Sequence, residues 1–167
     1  MATALDPLAF RDAMARFASG VTVVATSDAE GRNVGFTASA FSSLSLDPPL
    51  LLVCLQKDAD CYAAFMQAGH FAVSILALGQ EEVARRFATK AIDKLQGTPM
   101  QAAPMTGLPV IEGASAWTEC VLRERVDGGD HTILIGEVVH AESADAEPLL
   151  HFNRQFGRFL PGGPAAD

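Results

Sequence analysis

The sequence predicts a mainly β fold, a single barrel with a few short flanking α-helices. Three observations carry that expectation. About seven short segments are rich in Val, Ile, Leu and Thr and are separated by Gly, Asp and Pro turn signals. Helical periodicity is confined to brief stretches, too few and too irregularly placed for a doubly wound sheet. With 167 residues and no internal repeat, the chain reads as one domain, long enough to bury a core.

Asp6-Pro7 opens a helix, with Asp as N-cap and Pro at the first helical position. Leu8, Ala13, Met14 and Phe17 continue it at helical spacing, and Gly20 is expected to close it. The β-branched run Val21–Thr26 is a strand, Asp28–Gly31 a turn and Asn33–Ala40 the returning strand. After Pro48-Pro49 comes the apolar strand Leu50–Leu55. Asp58 or Asp60 is expected to cap a short helix through Tyr62, Phe65 and Met66. His70–Leu76 is a strand, and Gln80–Phe87 a helix that is acidic at its start and basic at its end, as the helix dipole prefers. Gly97–Pro109 reads as irregular. Ala116–Val126 and His131–His140 form a hairpin across Asp127-Gly-Gly-Asp130. A short segment, Leu149–Leu160, leads into a loose tail of Pro, Gly and Ala.

Hydrophobic residues make up 49% of the chain and charged residues 19%. That apolar share implies a large core or a subunit interface, and a homodimer is expected. A net charge of −8 argues against a nucleic-acid backbone as main partner, although a small phosphorylated ligand needs only one or two basic groups. No apolar run approaches the ~18 residues of a membrane span. Met1–Pro7 has no basic region followed by an apolar stretch, so a cytoplasmic protein is expected. Cys54, Cys61 and Cys120 lack paired spacing for a disulfide framework or a zinc site.

The segment Thr37-Ala-Ser-Ala-Phe-Ser-Ser-Leu-Ser-Leu-Asp-Pro-Pro49 is the most informative. Thr37, Ser39, Ser42 and Ser43 fall within seven residues together with two Ala, so a planar heterocycle could lie close to the backbone and be hydrogen-bonded at its edge. A Ser/Thr-rich turn between strands is the other reading. Familiar catalytic sets are missing: there is no G-x-S-x-G, no H-E-x-x-H, no His pair at metal-ligand spacing, no G-x-G-x-x-G and no phosphate-loop motif. His131 follows Gly128-Gly129-Asp130 and falls at a strand start, where Asp130 could tune its charge. Lys57, Arg85 and Arg86 are either solvated charges or, if the strand end and helix converge, a phosphate site.

Three blocks together resemble the short-chain flavin reductases, split-barrel proteins that bind FMN and use NAD(P)H to reduce flavin, commonly for a partner monooxygenase. They are Phe10–Val24, the Thr37–Pro49 run, and Gly128-Gly-Asp-His-Thr-Ile-Leu-Ile-Gly-Glu-Val138, and the likeness extends from Phe10 to about Phe156. The resemblance implies a split β-barrel of the Greek-key type, a homodimer, and FMN or FAD with NADH or NADPH as hydride donor. It implies that Thr37, Ala38, Ser39 and Ala40 line the ring and ribityl chain, with Ser43 and Leu44 continuing that wall. Cys54, Leu55, Gln56 and Lys57 would approach ribityl and phosphate, and Arg86 and Phe87 would close the phosphate end. His131 would face the nicotinamide, helped by Arg154 and Phe156. Gln56 stands where many relatives carry a smaller polar residue, and Phe156 where many have Tyr. A flavin-binding electron-transfer or sensor module without NAD(P)H turnover is the competing function. An oxidase of the pyridoxamine-phosphate type would need more basic residues than the 12 present.

Overall fold

The computed structural model describes residues 5–162. The first four residues and the end of the Pro-Gly-Ala tail, 163–167, lie outside the described residues. Helix α1, Pro7–Met14, starts as expected, with the Asp6 carboxylate accepting the Leu8 N–H at 3.0 Å. It stops at Met14 rather than near Gly20, because Ser19–Gly20 forms a short strand, β1, whose Gly20 pairs with Leu150. The expected apolar face is not core either: Leu8, Phe10 and Met14 of α1 and Phe17 beyond its end are all exposed.

Strands β2 (Thr22–Ser27) and β3 (Asn33–Ala38) form a hairpin whose turn is organised by Asp28, which accepts the Glu30 and Arg32 N–H groups at 3.0 and 2.8 Å. The Ser-rich run then yields a strand that the sequence reading missed, β4 (Phe41–Leu46), antiparallel to β5 (Pro49–Gln56). Helix α2 (Tyr62–Gln67), β6 (His70–Ile75) and α3 (Glu81–Ala88) follow. Neither Asp58 nor Asp60 caps α2, which begins after Cys61 without a side-chain cap. Both carboxylates instead hold the chain after α3: Asp58 pairs with Lys90 at 2.8 Å and Asp60 accepts the Ala91 N–H at 2.7 Å. The stretch read as irregular contains a small ribbon, β7 (Met100–Ala102) with β8 (Pro109–Ile111).

The hairpin of β9 (Ala116–Gly128) and β10 (His131–Ser143) is longer than expected, and its turn is Gly129-Asp130 with Gly129 at φ +79°. A two-residue turn that matches strand twist needs such a residue. Strands β11 (Leu149–Phe152) and β12 (Gln155–Arg158) close a second tight hairpin, with positive φ at both Asn153 and Arg154, and join β1 in a three-stranded sheet.

The main sheet has seven strands in the order β3-β2-β6-β9-β10-β5-β4. Its two edge strands are consecutive in the chain, separated only by Ser39 and Ala40. Flat, seven strands would place those edges roughly 29 Å apart, whereas the linking residues span about 10 Å at most. The sheet therefore curls until its edges meet. Ala38 pairs with Thr22, while two residues on the Ala40 carbonyl accepts the Cys54 N–H at 3.0 Å. The mainly β expectation with short helices holds. Inside the curl Val24, Phe36, Val53, Leu55, Phe65, Phe71 and Leu134 form the main core. A second cluster around Leu76, Phe87, Ile111 and Leu149 packs α3 and the small sheet against it.

Glu119, on β9, is fully buried and holds the loop between β7 and β8: its carboxylate accepts the Met105 N–H at 3.0 Å, and the Thr106 N–H and hydroxyl at 2.6 and 2.7 Å. A buried carboxylate is tolerated only with such a full set of donors. Glu119→Gln turns one acceptor into a donor facing these N–H groups. It is expected to cost roughly 2–3 kcal/mol, a fall of about 5–10 °C in thermal midpoint, measured by calorimetry.

Candidate functional site

Where the sheet edges meet, the chain leaves a cleft of about 290 Å³, near the lower end of the ~300–1,000 Å³ range of small-molecule pockets. One wall is Phe36–Ala40, the end of β3 and the crossover to β4. The facing wall is Cys54–Gln56 of β5, and the ends are closed by Phe87 and Ala88 of α3, by Lys90 and Lys94, and by His131. Small side chains at Ala38, Ser39 and Ala40 leave the backbone open to a flat ligand. β-alternation buries Val53 and Leu55 and turns Cys54 and Gln56 outward. Burial pushes the Cys54 thiol up from its ordinary value, which disfavours the thiolate.

The hydroxyls of the run are not all available to a ligand. Thr37 Oγ1 donates to the Ala84 carbonyl at 2.7 Å and so ties β3 to α3, and Ser42 Oγ donates to the Ser43 carbonyl at 2.9 Å. Ser43 and Leu44 lie on the exposed edge strand β4, outside the lining of the cleft.

At the other end, His131 pairs in register with Gln56, and its Nδ1 lies 2.7 Å from Asp130 Oδ1. That hydrogen bond holds the Asp130 carboxyl below its ordinary range. Lys57 turns away from the cleft: its ammonium donates to Asp127, which raises the lysine and lowers the carboxylate from their ordinary values. Arg86 donates to the Gln96 carbonyl and does not line the cleft. Arg154 occupies the β11–β12 turn and pairs with Asp12 of α1 at 2.6 Å. Phe156 packs beneath the Arg85 guanidinium, 5.2 Å from its ring centre, and beside His151. The structure thus brings together Thr37–Ala40, Cys54–Gln56, Phe87 and His131. It leaves Ser43, Leu44, Lys57, Arg86, Arg154 and Phe156 elsewhere on the chain.

Two cations of the cleft escaped the sequence reading. Lys90 is exposed and paired with Asp58. Lys94 is 8% exposed, and its ammonium donates to the Gly35 carbonyl at 3.3 Å. No carboxylate among the described residues lies within 4.0 Å of it. A buried cation without a counter-ion is costly and suits an anionic ligand. No motif surrounds Lys94; it reaches the cleft because the segment after α3 folds back under the pull of Asp58 and Asp60.

A curled, mainly β sheet with a small-residue cleft at its seam and a buried cation at one end defines a binding fold for a flat ligand bearing an anionic group. The chain belongs to the flavin reductase-like domain family, which matches residues 14–160. It is 41% identical over 164 residues to an NADH:riboflavin 5′-phosphate oxidoreductase of Streptomyces pristinaespiralis, covering 97% of this chain and 93% of that protein. It is 37% identical over 161 residues to the reductase subunit of a flavin-dependent monooxygenase of Rhodococcus jostii, covering 96% and 82%. Among solved structures, an NADH:FAD oxidoreductase of Streptomyces globisporus, in complex with NAD and FAD fragments, superposes with a TM-score of 0.89 at 37% identity over 98% of this chain and all of that one. Two relatives in Rhizobium meliloti are longer proteins, of which the chain spans 47% and 64%.

Gly35 sets the spacing of the cleft. A Cβ there would lie 2.7 Å from the Val24 carbonyl and 3.0 Å from the Phe87 ring. Gly35→Ala is expected to push α3 away from β3, lowering stability by about 1–3 kcal/mol. Flavin affinity should fall with it, and denaturant melts with flavin titration check both.

Proposed function

We propose that the chain is an NADH-dependent flavin reductase that reduces FMN or FAD and supplies the product to a partner monooxygenase. The observation that carries this reading is the seam cleft, where the small-residue step Ala38–Ala40 faces Cys54–Gln56 and Lys94 lies at one end with no carboxylate within 4.0 Å among the described residues. Family membership and relatives named as NADH:flavin oxidoreductases and as a monooxygenase reductase subunit support it. The fold is read as a split barrel, which the meeting of the two sheet edges supports.

The residues divide the work by chemistry. Ala38, Ser39 and Ala40 let the flavin ring lie on the backbone, and main-chain N–H groups there meet its polar edge. Lys94, with Lys90 beside it, takes the phosphate; Lys57 and Arg86, both engaged elsewhere, do not. Gln56 and His131 stand where the nicotinamide must stack, and Asp130 orients the imidazole. When bound, the two cofactors supply the reaction, hydride passing from nicotinamide C4 to flavin N5, so the protein needs no nucleophile. Its contribution is alignment.

A homodimer fits the first helix. The Arg154–Asp12 pair fixes α1 against the β11–β12 turn, yet α1 buries none of its residues and presents Leu8, Phe10 and Met14 to solvent. A second copy covering that face would remove a patch that monomers rarely expose. Use of NADH as donor is consistent with a cytoplasmic protein.

NADH oxidation followed with added FMN, FAD and riboflavin tests the activity. Stoichiometric flavin binding without turnover would sink it in favour of a carrier or sensor. His131→Ala is expected to reduce kcat/KM for NADH by roughly ten- to a hundredfold, with flavin affinity little changed. Met14→Asp should shift the mass measured by light scattering from dimer to monomer.

A further inference from the structure

His131 is set between two very different neighbours. On one side Thr132 is buried at 5% exposure, and its hydroxyl lies 2.8 Å from that of Tyr62, which ties it to α2. On the other side come Gly128 and Gly129, at the tip of the β9–β10 hairpin. Glycine has the most permissive backbone of any residue. An imidazole that must meet a nicotinamide ring needs its backbone fixed on both sides.

Lys57 supplies the second fixing. It directly follows β5, whose last residue, Gln56, pairs with His131. From there it reaches the turn at two points. Its N–H donates to the Asp130 carbonyl at 2.9 Å, and its ammonium donates to the Asp127 carboxylate. Asp127 in turn accepts the Gly129 N–H, so this chain of bonds ends inside the turn itself. The Asp130 carboxyl, lowered chiefly by its hydrogen bond with His131, also lies in the field of the Lys57 ammonium. An ionised carboxylate only accepts, so the Asp130 contact places a proton on Nδ1 of His131 and, in the neutral ring, leaves Nε2 as acceptor.

The ion pair does little for stability. The Lys57 side chain is 39% exposed and that of Asp127 80%, and pairs in contact with water contribute little. Neither side chain lines the cleft. The effect is on geometry. Without the ammonium, the turn loses its tie from β5 to Asp127, and two carboxylates of one turn lose the cation that both of them feel.

We propose that Lys57 is a positioning residue for hydride transfer, clamping the β9–β10 turn through Asp127 so that His131 keeps its place against the nicotinamide. The proposal rests on the flavin reductase reading and adds to it a residue that touches neither flavin nor nicotinamide.

Lys57→Met removes the ammonium and keeps the N–H bond to Asp130. Its kcat/KM for NADH should fall about three- to tenfold, and equally for reduced nicotinamide mononucleotide, because only the ring end is affected. Dissociation constants for riboflavin and FMN should both stay within about twofold, and the thermal midpoint should not move. Lys57→Arg should restore the rate, and Asp127→Ala should reproduce the loss. In a His131→Ala background, Lys57→Met should cost nothing further, since its effect passes through the imidazole. Losses that multiply in the double variant overturn the proposal. So does FMN weakened more than riboflavin, which would make Lys57 a phosphate ligand.

Amide hydrogen exchange reads the clamp without turnover. The Gly129 N–H should exchange about tenfold faster or more in Lys57→Met than in the unmodified protein or in Lys57→Arg. Unchanged exchange overturns the clamp. Absence of NADH oxidation by the unmodified protein, with the exchange result intact, would instead count against the reductase reading itself.

Discussion

The two-residue step from β3 to β4 is the constraint on which the rest of the structure depends. Ser39 and Ala40 carry the chain from one edge of a seven-stranded sheet to the other, and no flat sheet can accommodate that. The curl encloses the main core, brings β5 opposite the end of β3, and leaves a seam. Small residues at the crossover keep the seam open instead of filling it. Fold and cleft therefore have the same cause.

Around that seam, polar side chains hold elements in place more often than they face a ligand. The Thr37 hydroxyl binds α3 to β3, Asp58 and Asp60 draw the Lys90–Lys94 segment over the cleft, and Asp130 steadies His131. Buried Glu119 does the same for a distant loop. Each such bond satisfies a group that would otherwise be stranded without water. Lys94 differs in that its ammonium meets the Gly35 carbonyl and, among the described residues, no carboxylate within 4.0 Å.

Much of this was legible in the residues. The Asp6-Pro7 helix start, the β2–β3 turn, the Gly129-Asp130 hairpin and the acidic-to-basic α3 all follow from local preferences that tertiary packing did not overrule. β4 was not legible, since its Ser-rich sequence has weak strand propensity and forms an edge only because β5 offers it a ladder. The apolar repeat of α1 suggested a core face, but periodicity reports that a face is apolar and not what covers it.

The cleft divides in the same way. Thr37–Ala40, Cys54–Gln56, Phe87 and His131 lie around one cleft, because each is fixed by a strand or helix whose register the pattern of residues dictates. The charged side chains are placed by contacts that the sequence does not show. Lys57 and Arg86 sit at suggestive places in the sequence, yet each found a nearer acceptor, whereas Lys90 and Lys94 arrive through a loop pulled in by remote carboxylates. The sequence by itself determined six of the seven strands of the main sheet, the small-residue seam and the family. Only the tertiary structure decided which cation is buried, because a long side chain selects its partner by distances that exist only after the sheet has curled.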